Sequence, residues 1–149
     1  MQPLNLPKFE CKIKTIDEKS FIFDNQRKKY IALTPEEWVR QHFVNFLINN
    51  KKYPYGLIGN EVGLNLNGMK KRSDTVVYDK EGKPLVIVEY KAPSIKITQE
   101  VFNQIVRYNM VLRVKYLIVS NGINHYCCSI DYNTNSYTFL KDIPYYDEL

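Results

Sequence analysis

The sequence predicts an α/β fold of the α+β kind. One mixed sheet carries helices on its faces, in the order αβββαβ, with extra strands at both ends. Three observations lead there. A capped helical run opens at Thr34. Three β-rich runs follow between Glu61 and Tyr90, the last two joined by turn chemistry. A second capped run at Thr98 then leads into an apolar strand over 114–120, the pattern of a helical crossover between parallel strands.

At 149 residues the chain is long enough for one domain with a real core. It divides into an N-terminal extension over 1–33, a core over 34–130, and a last strand and tail over 131–149. Hydrophobic residues make up 44% and charged residues 25%, which fits a soluble globular protein. No run approaches the length of a membrane span, and the N-terminus lacks the apolar core of a signal peptide. Three cysteines, two of them adjacent (Cys127 and Cys128), offer neither a disulfide framework nor a zinc spacing, so a reducing cytoplasm is expected. A net charge of +5 permits an anionic partner.

The elements follow in order. Phe21-Ile22-Phe23 and Tyr30-Ile31-Ala32 flank a polar link and read as a small hairpin, with Arg27, Lys28 and Lys29 at its tip. Thr34 caps a helix that starts with Pro35 and runs to Asn49. Glu37 stands where a capping box needs it, and Trp38, Phe43, Phe46 and Leu47 supply an apolar stripe. His42 on this helix reads as packing, with no second ligand at metal spacing. Residues 61–66 alternate as a strand, and Asn67-Gly68 is a turn dipeptide. The runs 75–78 and 85–90 form a hairpin about Glu81 and Gly82. Thr98 caps the second helix, Ile97 and Phe102 are placed as a hydrophobic staple, and Val101, Ile105, Tyr108 and Leu112 form the expected buried stripe. Strands over 114–120, 126–130 and 137–140 complete the sheet, and the acidic tail from Tyr145 is expected to fray.

Parity along the central hairpin points to a site. A hairpin symmetric about Glu81 and Gly82 pairs Tyr78 with Leu85, Val76 with Ile87, and Asp74 with Glu89. Two carboxylates then meet at the end of an apolar face, with Lys91 on the same side as Glu89. Carboxylates that close repel, and a divalent cation between them removes the conflict. Lys91 could orient or help deprotonate a water there. Glu-x-Lys also occurs at Glu10-Cys11-Lys12 and Glu81-Gly82-Lys83, and a surface ion pair on an amphipathic hairpin is the plain alternative. Glu37 could serve as a cap or as a further carboxylate. Lys70, Lys71 and Arg72 precede Asp74 directly, as a phosphodiester ligand would require; an exposed basic turn is the simpler reading. Gln104 and Tyr108 lie four apart on one helix face and could reach the site or a DNA phosphate.

Taken together, the first helix with Glu37, then Glu61, Arg72-Ser73-Asp74, Glu89-Tyr90-Lys91-Ala92-Pro93, Gln104-Ile105-Val106-Arg107-Tyr108 and Ser120-Asn121-Gly122 resemble a known family. It is the N-terminal nuclease domain of type I restriction enzyme R subunits, within the PD-(D/E)xK nuclease superfamily. The resemblance covers residues 34–130 and implies a restriction-endonuclease-like fold and hydrolysis of DNA phosphodiesters with Mg²⁺ or Mn²⁺. It implies Asp74 and Glu89 as metal ligands, Glu37 near the metal, and Lys91 as the catalytic lysine. Gln104 and Tyr108 would support DNA binding and cleavage, aided by Lys71 and Arg72. Ser73 stands where the superfamily name has Pro, a tolerant position. No Walker lysine loop or motor segment is present, so a standalone nuclease domain is implied. The implied partners are DNA, a second copy of the chain, and other restriction–modification subunits. The rival reading is a catalytically silent DNA-binding or partner-docking module of the same fold. A metal-free structural protein would instead hold Asp74 and Glu89 far apart.

Overall fold

The computed structural model describes residues 1–66 and 68–149. The expected turn at Asn67-Gly68 therefore falls partly outside the described residues; Gly68 itself has a left-handed φ of 75°. The N-terminal extension forms a three-stranded antiparallel sheet of β1 (Ile13–Ile16), β2 (Lys19–Asp24) and β3 (Lys29–Ala32). The sequence reading gave two of these strands. β1 is exposed at every residue, so it carries no buried periodicity by which to recognise it.

Helix α1 (Pro35–Asn49) begins as expected, with the Thr34 hydroxyl accepting from the Glu37 N–H at 3.0 Å. Strands β4 (Ile58–Leu66), β5 (Met69–Tyr78) and β6 (Pro84–Tyr90) form a meander. Helix α2 (Gln99–Met110) crosses over to β7 (Tyr116–Ser120), and β8 (His125–Asp131) and β9 (Ser136–Leu140) extend the sheet. The six strands lie in sequence order. β6 and β7 pair in parallel and the other neighbours antiparallel. This is the mixed sheet the sequence predicts, and the right place for the one crossover helix.

The helices cover opposite faces. On the α1 face, Val39, Phe43 and Leu47 pack on Val77, Val86, Val88, Tyr90 and Ile118. On the α2 face, Phe102, Val106 and Leu112 pack on Val76, Ile87, Leu117 and Val119. Being covered on both sides explains why β6 and β7 read as nearly unbroken apolar runs. The Ile97 and Phe102 staple is in place. Tyr108 is not in the α2 stripe: it is 60% exposed, while Phe102, Val106 and Asn109 face inward. Of the expected stripe, Leu112 is buried and Ile105 packs partly on the core, while Asn109 takes the inward place expected of Tyr108, a rotation of about 100° on a helix.

Two further departures have local causes. Val76 does pair with Ile87, but a bulge between Val77 and Tyr78 sets Tyr78 opposite Pro84 in place of Leu85. The tail does not fray. Its last residues form a short 3₁₀ turn in which the Tyr146 hydroxyl donates to the Tyr78 carbonyl at 2.9 Å and the ring stacks edge-on against Tyr53. Cys127 and Cys128 are buried strand residues whose thiols burial pushes up to about 12, so neither is a ready nucleophile.

Candidate functional site

Asp74 and Glu89 meet where β5 and β6 part. The paired ladder runs Val77↔Val86, Val76↔Ile87, Thr75↔Val88. One step further along that register stand Asp74 and Glu89. There the ladder changes character: an Asp74 carboxylate oxygen accepts from the Tyr90 backbone N–H at 2.9 Å. The Tyr90 side chain points the other way, into the α1 core, and its hydroxyl donates to Thr75 Oγ1 at 2.9 Å. Tyr90 is thus held at both ends, and Glu89 is held with it. Glu89 is half-buried. Burial, followed by the charge of Asp74 beside it, pushes its carboxyl up to about 7; Asn109 and Lys91 pull the other way without cancelling the effect.

The lysines approach by different routes. Lys91 lies just past β6, with its backbone N–H donating to the Ser120 carbonyl at 2.9 Å, and its charge acts on Glu89. Lys71 is paired with Leu64 of β4, a strand that slips its alternation. Gly59 pairs with Val76, whose side chain is in the α2 core, so strict alternation would turn Leu64 to the α1 face. Glu61 instead takes a left-handed φ of 52°. Beyond it Leu64 joins the α2 core and its partner Lys71 comes to α2 with it. There the Lys71 ammonium donates to the Tyr108 carbonyl and lies over the Tyr108 ring. Burial draws it down to about 8, against the pull of Glu89. Gln104 and Arg72 are exposed nearby in sequence, and Arg72 reaches Glu61 at 3.4 Å.

Glu37 is placed elsewhere. Its carboxylate is taken up by Arg40, through Nε at 3.0 Å and through Nη2, and by the Gln41 amide at 2.8 Å. Arg40 continues to Asp24 of β2 at 3.1 Å, which also holds Arg27 at 2.7 Å. This buried network ties the N-terminal sheet to α1. Burial raises the Glu37 carboxyl more than Arg40 lowers it, whereas at Asp24 the two arginines win and the value falls. Among the described residues, no three acidic, histidine or cysteine side chains cluster as a metal site. Glu37 therefore does not complete a trio with Asp74 and Glu89. The capping box is also half-made, since the Glu37 side chain is engaged by Arg40.

Residues 35–144 match the family model described as the type I restriction enzyme R protein N terminus. The chain belongs to that family. Its fold is similar to a fragment structure described as an HsdR subunit of a type I restriction enzyme from Vibrio vulnificus YJ016, at a TM-score of 0.55 and 22% identity, over 80% of this chain and 25% of that one. The chain thus spans a quarter of the length of that relative. No curated protein matches it.

In this R-protein N-terminal domain the donor set suits a hard cation. Two carboxylates from neighbouring strands come together, and the charge of Asp74 adds to the burial that raises Glu89. The charges of Lys91 and Lys71 both act on Glu89. Sequence reasoning pointed to Asp74, Glu89, Lys91 and Lys71 as candidates. It missed Asp24, Arg27 and Arg40, which lie far apart in the chain, and Asn109, which carries no motif. Arg40, three residues after Glu37 on α1, was the available signal.

Proposed function

We propose that this domain is a divalent-metal-dependent deoxyribonuclease that hydrolyses phosphodiesters at the Asp74–Glu89–Lys91 site. The observation that carries the reading is the Asp74–Glu89 pair, one step along the register from Thr75↔Val88, where burial first and then the charge of Asp74 push the Glu89 carboxyl up to about 7. Asp74 and Glu89 would hold Mg²⁺ or Mn²⁺. When bound, such an ion polarises the phosphoryl oxygen and makes water a better nucleophile.

The remaining roles belong to the chain. Lys91 orients the attacking water and steadies the negative charge that develops on the phosphoryl oxygens. Water adds to phosphorus, one P–O ester bond breaks, and the products are a phosphate monoester and a free hydroxyl. Lys71, Arg72, Gln104 and Tyr108 would hold the backbone of the strand being cut. Other subunits of a restriction–modification assembly are the partners that family membership favours.

A plasmid-nicking assay with Mg²⁺ or Mn²⁺ tests this. Wild type should nick, and Asp74→Ala and Lys91→Ala should each reduce nicking by at least about 100-fold. Full activity in either variant removes the mechanism. Salt-dependent binding with no cleavage by wild type would leave a DNA-docking module.

A further inference from the structure

A chain of hydrogen bonds crosses the sheet on the α1 face, behind the Asp74–Glu89 pair. Thr75 and Tyr90 follow those two acids in sequence, so alternation turns their side chains to the reverse face. Both are buried. The Tyr90 hydroxyl donates to Thr75 Oγ1 at 2.9 Å. The Thr75 hydroxyl donates in turn to Asn60 Oδ1 at 2.7 Å, across the β4–β5 pair. The Asn60 amide donates to Gln26 Oε1, and the Gln26 amide donates to the Ile58 carbonyl at 3.0 Å. The first three donors all point from β6 toward the link between β2 and β3. Gln26 is itself anchored: its backbone N–H donates to Asp24 Oδ1 at 2.9 Å, and Asp24 is paired with Arg40. Burial does not call for these hydroxyls. Phe43 lies edge-on to the Tyr90 ring, and Val77 and Val88 belong to the same apolar cluster. A phenylalanine and a valine of the same shape would fill the space without desolvating either hydroxyl. What the hydroxyls add is location. Tyr90 stands between Glu89 and Lys91, and its N–H is bonded to Asp74.

Resting on the metal-dependent reading above, we propose that Gln26, Asn60, Thr75 and Tyr90 are positioning residues of the cation site, a relay through which the N-terminal sheet fixes the backbone that carries Glu89 and Lys91. None of the four touches metal or substrate; the other three act through Tyr90. The relay clamps Tyr90 at its hydroxyl while Asp74 clamps it at its N–H. With both ends held, the peptide that carries Glu89 keeps one orientation toward Asp74. Ligands that must stay within about 0.5 Å of their working geometry need such support behind them. Chains of buried hydrogen bonds strengthen one another, so a break at any link loosens the far end. The N-terminal sheet is then a working part of the site.

The test pairs amide hydrogen exchange by NMR on the metal-free whole chain with calorimetric titration by Mn²⁺, for wild type, Thr75→Val and Thr75→Ser. Thr75→Val keeps the shape and removes the hydroxyl. Its Tyr90 amide should exchange about tenfold faster relative to that of Ile118 in the central β7, which reports opening of the whole sheet. It should also bind Mn²⁺ about tenfold more weakly. Thr75→Ser restores the hydroxyl and should match wild type in both readings. Gln26→Ala, at the far end, should loosen the Tyr90 amide in the same sense. An unchanged Tyr90-to-Ile118 ratio in Thr75→Val overturns the relay. So does a Thr75→Ser that loses as much, because packing would then be the cause. A changed ratio with Mn²⁺ affinity intact overturns the positioning role, and wild-type exchange in Gln26→Ala overturns the link to the N-terminal sheet. Should Thr75→Val not fold, Tyr90→Phe removes the same bond from its other end and is read in the same way at the position-90 amide. Wild type that fails to bind Mn²⁺ sinks the cation site itself, while the exchange ratio still decides the relay.

Discussion

The carboxylate of Asp74 accepts the backbone N–H of Tyr90 at 2.9 Å, so a side chain of one strand takes over from the main-chain ladder of the pair. That bond fixes more than itself. It sets the peptide between Glu89 and Tyr90 against Asp74, at the point where β6 leaves β5 to continue beside β7. One oxygen of Asp74 is spent on this bond. The other is free to face Glu89, and the two acids cannot drift apart without losing the hydrogen bond.

The first consequence is a pH dependence of stability in the metal-free protein. The Glu89 carboxyl lies at about 7 in the fold, against 4.5 for an unperturbed glutamate. Below about 4.5 both folded and unfolded chains hold its proton and Glu89 contributes nothing. From there to about 7 the fold keeps a proton that the unfolded chain has lost, so stability falls as pH rises, then levels off. The full loss is at most about 3 kcal/mol, less in proportion to the solvent that reaches this half-buried group. Urea melts between pH 5 and 8 should show the decline in wild type and a flatter profile in Glu89→Gln. Mn²⁺, which binds the ionised form, should offset it. Parallel profiles for the two proteins would disprove the assignment.

Lys71 makes a second prediction, on DNA binding. Its ammonium rests on Tyr108 and titrates at about 8. If it contacts a phosphate, Lys71→Ala should weaken binding to any sequence alike and lower the slope of log affinity against log salt by about 1. Wild-type affinity should also drop as pH rises past about 8, where Lys71 loses its charge, and the variant should lack that drop. Fluorescence anisotropy on a labelled duplex reads both. An unchanged salt slope would remove Lys71 from the interface.

The Asp24–Arg40–Glu37 network gives a third. Arg40 is 4% exposed and serves both acids. Arg40→Met leaves two buried carboxylates without their shared cation, a loss of about 3–5 kcal/mol. Urea denaturation at neutral pH should show it. Because the network joins β2 to α1, limited proteolysis should open the first 33 residues before the sheet. A variant as stable as wild type would mean that solvent reaches the cluster freely.

Much of this molecule could be read from short stretches of chain. Thr34 and Thr98 mark their helices because a hydroxyl at that place satisfies an orphan N–H. The Val76↔Ile87 pairing follows from the alternation of side chains and the position of the turn, and the same register carries Asp74 to Glu89. The Tyr78 pairing failed because a bulge adds a residue that alternation does not reveal. Tyr108 was misplaced because α2 packs Asn109 inward, which no rule of hydropathy favours.

The sequence by itself therefore determined the order of elements, the parallel crossover and the strand-borne acids, since each depends on spacing within a few residues. Tertiary structure alone decided that Arg40 would claim Glu37, that Glu61 would turn left-handed within β4, that Lys71 would lie over Tyr108 of α2, and that Asn109 Oδ1 would be buried without a partner among the described residues. Those outcomes arise where segments distant in the chain compete for the same charge or the same space, and packing settles that competition only once the layers close.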